Sequence, residues 1–431
     1  MIYLTKLKVI LFIILFLNIM SIHYFLTSSD SDVIAQQQQQ QQQPIINDPN
    51  LKAELFVEGL SRPTSMAFID DNNILVLEKE KGTVRLISND ILQEEPVLEV
   101  DVNSKSERGL LGIAIMNNDA VFLYYTESSQ DDQLKNRVYK YQWNDEERLL
   151  VNPILILDLP AMPGPNHDGG KLTIGPDNYL YTVIGDLNRE GKLQNIVDGP
   201  EPDDTGVIFR VDPEDGSPAP DNPFINNNNA LSLLNKYYAY GIRNSFGIAF
   251  DPVTNILWDT ENGPSEYDEL NVVKSGFNSG WLQVMGPISK SDITEDELVN
   301  FPNSKYADPV FSWLPSLGIT DIEFLNSSKL GDKYTNNIFV GDIGDTTNGY
   351  LYYFEVNEDR TGIKFDNSNS NQAGLTDLIA DNEEEMSAIA LGTAFGGITD
   401  IETGPDGFLY ILTLDRESDG EGKIYRITPL L

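Results

Sequence analysis

Short alternating runs of apolar and polar residues dominate the chain after residue 44, and long stretches with the period of an amphipathic helix are scarce. The runs are rich in β-branched and aromatic residues and end in turns rich in Gly, Asn and Asp. The two clearest copies read GPDNYLY at residues 175–181 and GPDGFLY at residues 404–410. In both copies a Pro-Asp turn leads directly into a strand. The pattern predicts an all-β protein built from repeated antiparallel strands.

The same plan of an apolar strand, a polar turn, a buried strand and an outer strand recurs along the chain. The six units are predicted at residues 64–87, 112–143, 170–211, 247–273, 320–356 and 397–427. A sheet this small cannot bury both faces alone, and radial packing of such sheets gives a β-propeller. We therefore expect a six-bladed β-propeller over residues 51–431, in which residues 51–60 complete the last blade beside residues 424–427. An immunoglobulin-type array would need linkers, and the sequence shows none.

The N-terminal segment differs from the rest of the chain. Lys6 and Lys8 precede an uncharged apolar stretch at residues 9–26, which Ser- and Asp-rich sequence follows. This order is typical of a signal peptide or signal anchor, predicted here over residues 1–35, and fits a buried core helix less well. Residues 36–50, which begin with a run of glutamines, are predicted to be a low-complexity tether. We expect the remainder to be exported, extracellular or at the cell surface, with membrane contact only through the N-terminal segment.

Charge and cysteine content exclude several classes of function. The 431 residues include 29 Lys and Arg against 67 Asp and Glu, which gives a formal net charge of −38. A surface this acidic repels phosphate backbones, so general nucleic-acid binding is not expected. The absence of Cys excludes disulfides, cysteine-ligated zinc and thiol nucleophiles. The sequence does not fix the oligomeric state.

His167 is the only histidine beyond the N-terminal segment, and it lies in the sequence PGPNHDGG at residues 163–170. The flanking glycines permit close approach of the backbone, and the strand that follows is expected to line the central channel. A histidine with its ordinary pKa of about 6.5 can act as a general base at neutral pH. The alternative is a histidine on a surface loop.

Two further segments carry candidate binding groups. The sequence YGIRNSFG at residues 240–247 places Arg243 and Asn244 in a Gly-bounded loop, where they could hold an anion or a developing oxyanion. The sequence ENGPSEYDELN at residues 261–271 combines carboxylates with a Gly-Pro turn, whose oxygens suit calcium. The alternatives are an arginine in an ordinary salt bridge and a solvated acidic surface.

These segments occur together and in order, and the combination resembles the glucose/sorbosone dehydrogenase family. The agreement includes HDGGK at residues 167–171, GIRN at 241–244, RGLLG at 108–112 and GFNSGW at 276–281. It extends from about residue 55 to residue 427. The resemblance implies a soluble six-bladed propeller that oxidises aldose sugars with pyrroloquinoline quinone (PQQ) and calcium.

The resemblance also implies roles for individual residues. His167 would accept the proton of the sugar's anomeric hydroxyl while hydride passes to the quinone, and Arg243 would stabilise charge on the quinone oxygen. The positions that match cofactor-binding residues are Glu107, Lys171, Arg243, Asn244, Asp342 and Thr399. Carbonyls of Gly263 and Pro264 would hold the calcium that polarises the quinone, and Glu269 with the carbonyl of Ser279 would hold a second, structural calcium. An external electron acceptor would reoxidise the cofactor.

The sequence departs from the family pattern where the three carboxylates of PQQ are expected to bind. Relatives carry a lysine in blade five and two arginines in blade six, whereas this chain has GDIGDTTNG at residues 341–349 and GITD at 397–400. Glu107 and Lys171 stand in place of a glutamine and an arginine. These losses are expected to weaken PQQ binding. Three functions therefore stay open: a calcium- and PQQ-dependent aldose dehydrogenase, a non-redox calcium-binding propeller that acts as a surface binding module, and a calcium-dependent lactonase.

Overall fold

The structure, a computed structural model, describes residues 43–128, 134–226, 232–344, 349–365, 370–415 and 420–430. The predicted leader at residues 1–35 and residues 36–42 of the predicted tether lie outside these ranges. One folded unit spans Pro44–Leu431. In the ranges that the structure describes, no helix has both the length and the apolar character needed to cross a membrane.

Nearly all the regular structure is β-strand. The first strands are β1 Ile45–Ile46, β2 Leu51–Leu60, β3 Pro63–Asp70, β4 Asn73–Glu78, β5 Thr83–Ser88, β6 Ile91–Leu92, β7 Leu98–Glu99, β8 Leu110–Met116, β9 Ala120–Glu127, β10 Lys135–Asn144, β11 Leu149–Pro160, β12 Leu172–Ile174, β13 Leu180–Ile184, β14 Val207–Val211 and β15 Tyr237–Tyr240. The remaining strands are β16 Ser245–Phe250, β17 Leu257–Glu261, β18 Asp268–Val273, β19 Phe277–Asn278, β20 Lys305–Tyr306, β21 Phe311–Trp313, β22 Ile319–Phe324, β23 Ile338–Asp342, β24 Leu351–Val356, β25 Ile363–Lys364, β26 Ile379–Ala380, β27 Ala390–Thr393, β28 Gly397–Thr403, β29 Leu409–Leu414 and β30 Gly422–Pro429. Helix α1 is Glu383–Ile389, and short 3-10 helices occupy Lys192–Gln194, Leu233–Lys236, Ile288–Lys290, Glu295–Glu297 and Ser370–Asp377.

The strands form six sheets within the described residues, one for each predicted unit. Their cores are β3 to β6, β8 to β11, β12 to β15, β16 to β18, β22 to β24 and β28 to β30. Neighbouring strands within each core are antiparallel, as hairpin connections require. The third and fourth sheets are extended by β19, β20 and β26 through short parallel pairs.

The innermost strands of the six sheets contact one another in a closed ring. β3 contacts β8, β8 contacts β12, β12 contacts β16, β16 contacts β22, β22 contacts β28, and β28 returns to β3. The sixth sheet is completed by β2, which places Leu51 opposite Pro429 and Leu60 opposite Gly422. Strand β2 thus pairs with the C-terminal strand β30, which closes the ring within one sheet. The predicted six-bladed β-propeller and the predicted closing strand are thereby confirmed.

The hydrophobic core is distributed between neighbouring blades. Blades two and three share a cluster that contains Tyr124 and Phe209. Blades four and five share one that contains Trp258, Trp313 and Phe354, and both tryptophans are fully buried. Because side chains alternate across a strand, each blade presents one apolar face to either neighbour. This packing holds the inner strands so that the loops at their ends meet around the central channel.

Residues 45–50 belong to the propeller, although the sequence analysis included them in the tether. Strand β1 pairs with β27, with Ile45 opposite Thr393. The hydroxyl of Tyr334 donates a hydrogen bond to Asp48 Oδ2 at 2.5 Å. The tether prediction therefore remains only for residues 36–42, which lie outside the described ranges.

Candidate functional site

One end of the central channel opens into a pocket of about 500 Å³, which all six blades line. Each blade contributes a residue at or next to its innermost strand: Thr64, Leu111, Lys171, Phe246, Thr320 and Thr399. Further lining residues include Arg62, Lys79, Glu107 and Asn262. The volume is typical of a small-molecule or cofactor site. Of the predicted site residues, Glu107, Lys171 and Thr399 lie directly in the pocket wall.

His167 lies in the loop that precedes β12, and its position is fixed from two sides. Its backbone N–H donates to Glu107 Oε2 at 2.7 Å, and its Nδ1 lies 2.6 Å from Asp186 Oδ1. Its φ of 65° is in the left-handed region, which residues other than glycine adopt less often. A carboxylate at Nδ1 favours the tautomer with the proton on that nitrogen. Nε2 is then the ring nitrogen that can accept a proton.

Asp186 is a site residue that the sequence analysis missed. It follows strand β13, and its Oδ1 also accepts a hydrogen bond from the backbone N–H of Asn188 at 2.7 Å. Its Oδ2 accepts one from the indole N–H of Trp281 at 2.6 Å. Both oxygens are therefore held in place, and through them the orientation of the His167 ring is set. An acidic residue directly after a buried strand was the available signal, since strand ends meet at the channel.

Arg243 lies in the loop that precedes β16, above the ring of Trp281 at 5.3 Å from its centroid. Its Nη1 donates to the carbonyl oxygens of Asn262 at 2.8 Å and Gly263 at 3.1 Å. Burial lowers the pKa of Arg243, although Asp186 and nearby acids oppose the shift. Its buried Nε has no hydrogen-bond partner among the described residues. The guanidinium therefore keeps a donor that an anionic ligand can use.

Glu107 connects the loops of three blades. The same Oε2 that accepts the His167 N–H also accepts the side-chain amide of Asn244 at 3.0 Å. Asn244 is buried, and within the described part of the chain its Oδ1 lacks a hydrogen-bond partner. The predicted residues His167, Arg243, Asn244 and Glu107 thus lie in one group beside the pocket.

Lys171 lines the pocket, but its charge is directed toward buried carboxylates. Its Nζ donates to Asp321 Oδ2 at 2.9 Å and to Asp400, and Glu402 lies 4.0 Å away. Burial alone would lower the pKa of Lys171, yet the acids raise it well above its usual value. Lys171 also lines a second cavity of about 270 Å³. It therefore ties blades three, five and six together between the two cavities.

The positions at which the resemblance predicts basic residues behave differently from one another. Asp342 turns its carboxylate into blade five, where it accepts from the backbone N–H of Tyr350 at 2.9 Å and the hydroxyl of Tyr352 at 3.0 Å. Burial raises the pKa of Asp342 to about 7. Thr399 lines the pocket and offers only a neutral hydroxyl. The Asp342 side chain thus adds less negative charge to the pocket than its sequence position suggested.

The loop predicted to hold calcium is organised by Asp268. Its carboxylate accepts hydrogen bonds from the backbone N–H groups of Gly263 at 3.0 Å, Leu317 at 2.6 Å and Gly318 at 2.7 Å. The carbonyl of Gly263 accepts from Arg243, and Pro264 is exposed. The hydroxyl of Ser316 also donates to this carbonyl at 3.4 Å, so a cation bound there would have to displace one of the two donors.

Behind this loop, Asp259, Glu261 and Glu269 bury their carboxyl groups on the adjacent strands β17 and β18. Burial raises the pKa of each above its usual value, and that of Glu261 to about 7. Ser279 donates its hydroxyl to Glu261 Oε2 at 2.6 Å, and neither carboxylate oxygen of Asp259 has a partner among the described residues. Buried acids and an unsatisfied carboxylate are chemistry that a hard cation suits. In the described ranges no three acidic or histidine side chains converge to hold a metal alone, so carbonyls would have to complete the coordination.

Comparisons with known proteins agree with this fold. The pattern of the glucose / sorbosone dehydrogenase family matches residues 60–426. The aldose sugar dehydrogenase YliI of Escherichia coli is 26% identical over 385 residues, which cover 88% of this chain and 93% of the relative. The crystal structure of a putative oxidoreductase (glucose dehydrogenase) from Thermus thermophilus is 26% identical, with a TM-score of 0.65 over 88% of this chain and 99% of that one. The PQQ-bound form of an aldose sugar dehydrogenase from Streptomyces coelicolor shares the fold, with a TM-score of 0.63 at 21% identity over 90% of this chain and 100% of that one.

Proposed function

We propose that this chain, which belongs to the glucose/sorbosone dehydrogenase family, oxidises the anomeric carbon of an aldose sugar to a lactone with the help of PQQ and calcium. The observation that carries the proposal is the His167–Asp186 pair, fixed beside a pocket that six blades line. A histidine held by a carboxylate is the arrangement of a general base. The sugar dehydrogenases among the relatives support the choice of substrate class.

The residues beside the pocket fit a planar, anionic cofactor. Arg243 Nε and Asn244 Oδ1 are buried polar atoms without partners in the described ranges, and a bound ligand would satisfy them. The pocket volume of about 500 Å³ accommodates a tricyclic compound. The carbonyls of Gly263 and Pro264 would hold calcium next to it. When bound, PQQ supplies a two-electron acceptor for hydride and calcium supplies a Lewis acid.

The roles of the protein side chains follow from their contacts. His167 accepts the proton of the anomeric hydroxyl at Nε2, because its Nδ1 already faces Asp186. The Asp186 carboxylate at 2.6 Å stabilises the imidazolium that results. Arg243, stacked on Trp281, stabilises negative charge that develops in the pocket. Loss of hydride and proton together converts the hydroxyl-bearing carbon to the lactone carbonyl.

We further propose that the enzyme is exported and passes electrons to an external acceptor. The basis is the sequence at residues 1–35 and the net charge of −38. Mass spectrometry of the mature protein from its host tests this. If the leader is cleaved, the mature chain should start after residue 35. If the leader is retained as an anchor, the chain should be membrane-bound, and protease added to intact cells should digest it. A full-length chain in the cytosol would contradict it.

A non-redox calcium-binding propeller is the second candidate. The observation that favours it is the low positive charge available at two of the predicted cofactor-binding positions. Lys171 is already paired with Asp321 and Asp400, and Thr399 is neutral. If PQQ does not bind, the calcium loop and the acidic exterior would serve a surface binding module instead.

The test is dye-linked oxidation of a panel of aldoses by the protein loaded with PQQ and calcium. His167→Ala is expected to lower turnover by about 10²–10⁴-fold, because only the proton transfer is lost. Its affinity for PQQ and its stabilisation by calcium should match those of the wild type. Equal activity in both proteins, or no PQQ binding by the wild type at micromolar concentrations, would shift the function to the non-redox propeller.

A further inference from the structure

Three cationic side chains in the pocket wall differ in how far their charge is already neutralised. Lys171 is paired with Asp321 and Asp400. The Nε of Arg62 lies 3.4 Å from Glu80. Lys79 has no carboxylate oxygen within 4.0 Å of its Nζ in the part of the chain that the structure describes. Lys79 is therefore the pocket lysine whose charge lacks a close counter-ion.

The surroundings of Lys79 hold its ammonium at the pocket wall. Its Nζ donates to the backbone carbonyl of Ser106 at 2.6 Å. Its stem packs over Gly109, where an added β-carbon would come within 2.6 Å of Lys79 Cγ. Burial lowers the pKa of Lys79 although Glu80 and Glu107 oppose the shift. A partly buried ammonium without a counter-ion is destabilised, and an anionic ligand would relieve this.

Arg62 and Lys79 lie side by side on the first blade, since the backbone N–H of Lys79 donates to the carbonyl of Arg62 at 3.2 Å. The first blade is the neighbour of the sixth, because β28 contacts β3 in the ring. Thr399 of the sixth blade lines the same pocket. The first blade therefore supplies positive charge next to the sixth blade, where the predicted arginines are missing.

We propose that Lys79, with Arg62 beside it, binds a carboxylate of the cofactor and replaces on the first blade the charge that the sixth blade lacks. The inference rests on the proposed function, because the carboxylate is taken to belong to PQQ. Lys79 contributes more than Arg62, whose charge Glu80 already offsets in part. The contribution is electrostatic, so it weakens as salt is added.

The test measures the dissociation constant of PQQ for the calcium-loaded full chain by absorbance titration. Lys79→Met keeps the length of the stem and removes the charge, and it is expected to weaken binding by about 10–100-fold. Lys79→Arg keeps the charge and should bind within about threefold of the wild type. Lys81→Met is the matched control, since Lys81 is 50% exposed, 3.9 Å from Glu78 and absent from the pocket wall. Lys81→Met should leave PQQ binding unchanged. The PQQ dissociation constant should depend less on salt in Lys79→Met than in the wild type, Lys79→Arg or Lys81→Met.

A redox-inactive probe, benzene-1,3,5-tricarboxylate, distinguishes the anion-binding role of Lys79 from the proposed PQQ-dependent function. If the wild type binds PQQ and Lys79→Met binds it equally well, this inference is overturned while the proposed function stands. If the wild type binds the tricarboxylate but not PQQ, and Lys79→Met loses that binding, the anion site is supported and the proposed function fails. Binding of neither compound by a folded wild type overturns both. Matching circular dichroism spectra exclude misfolding as the cause of a loss.

Discussion

Replacing Lys171 with Met should destabilise the propeller through the carboxylates that it leaves behind. Lys171 is 9% exposed, and its partners Asp321 and Asp400 are fully buried. Its Nζ lies 2.9 Å from Asp321 Oδ2 and is also hydrogen-bonded to Asp400. Met preserves the volume of the stem, so the substitution removes the charge without opening a cavity. What remains is a pair of buried acids without their cation.

The expected magnitude follows from the cost of breaking a buried ion pair, about 3–5 kcal/mol when one partner is removed. Unfolding entropy is about 2.1 cal/mol/K per residue, which gives about 0.8 kcal/mol per degree for the folded unit Pro44–Leu431. The melting temperature should therefore fall by about 4–6 °C. Burial already raises the pKa of Asp400, and loss of Lys171 raises it further. The folded variant then binds protons that the unfolded chain releases, so its deficit should grow as the pH rises above the ordinary pKa of an aspartate carboxyl.

Calorimetric melting of the calcium-loaded protein at several pH values measures both effects. Lys140→Met is the matched control, because its partner Glu214 is 68% exposed and a surface pair contributes at most about 1 kcal/mol. Lys171→Arg, the residue of the family pattern, should retain most of the stability. Adding Asp400→Asn to Lys171→Met should recover part of the loss. A deficit no larger than that of Lys140→Met, or one that shrinks as pH rises, would refute the reasoning.

Three further outcomes are expected. Asp186→Asn should slow sugar oxidation by about 10²–10⁴-fold at unchanged PQQ affinity, because an amide stabilises protonated His167 poorly, and an unchanged steady-state turnover would contradict this. Calcium at about 100 times its dissociation constant should add about 2.7 kcal/mol to the free energy of unfolding, and this gain should be smaller in Glu269→Gln. Equal melting temperatures with calcium and with chelator would contradict the calcium site. Thr399→Arg should tighten PQQ binding in an absorbance titration, and weaker binding would contradict the placement of the cofactor carboxylates.

The fold was predictable because its signals are local and repeated. Pro-Asp turns and period-two runs located all six units, and the strand at residues 51–60 had a partner only in the last blade. The two-residue strands β1, β19, β20 and β26 were not predicted, because so short a segment has no period. Their pairing depends on chain segments that are distant in sequence, as for Ile45 opposite Thr393.

The site was predictable where a motif carries the residue. The positions of His167 and Arg243 followed from short sequence motifs, whereas Asp186 belongs to no motif, and its place two residues after a buried strand did not reveal its hydrogen bond to His167. The significance of Lys79 depends on which pocket cations already have partners, which composition does not reveal. Likewise, the direction of the Asp342 side chain depends on Tyr350 and Tyr352, not on its place in a motif.

The most direct test of the central claim is a single-turnover reduction of bound PQQ. The calcium-loaded protein, reconstituted with PQQ and free of dye, is mixed rapidly with an aldose while the absorbance of the cofactor is followed. Fast reduction is expected in the wild type, whereas in His167→Ala the cofactor should stay bound but be reduced about 10²–10⁴-fold more slowly. Absence of PQQ binding by the wild type, or equally fast reduction in both proteins, would contradict the central claim.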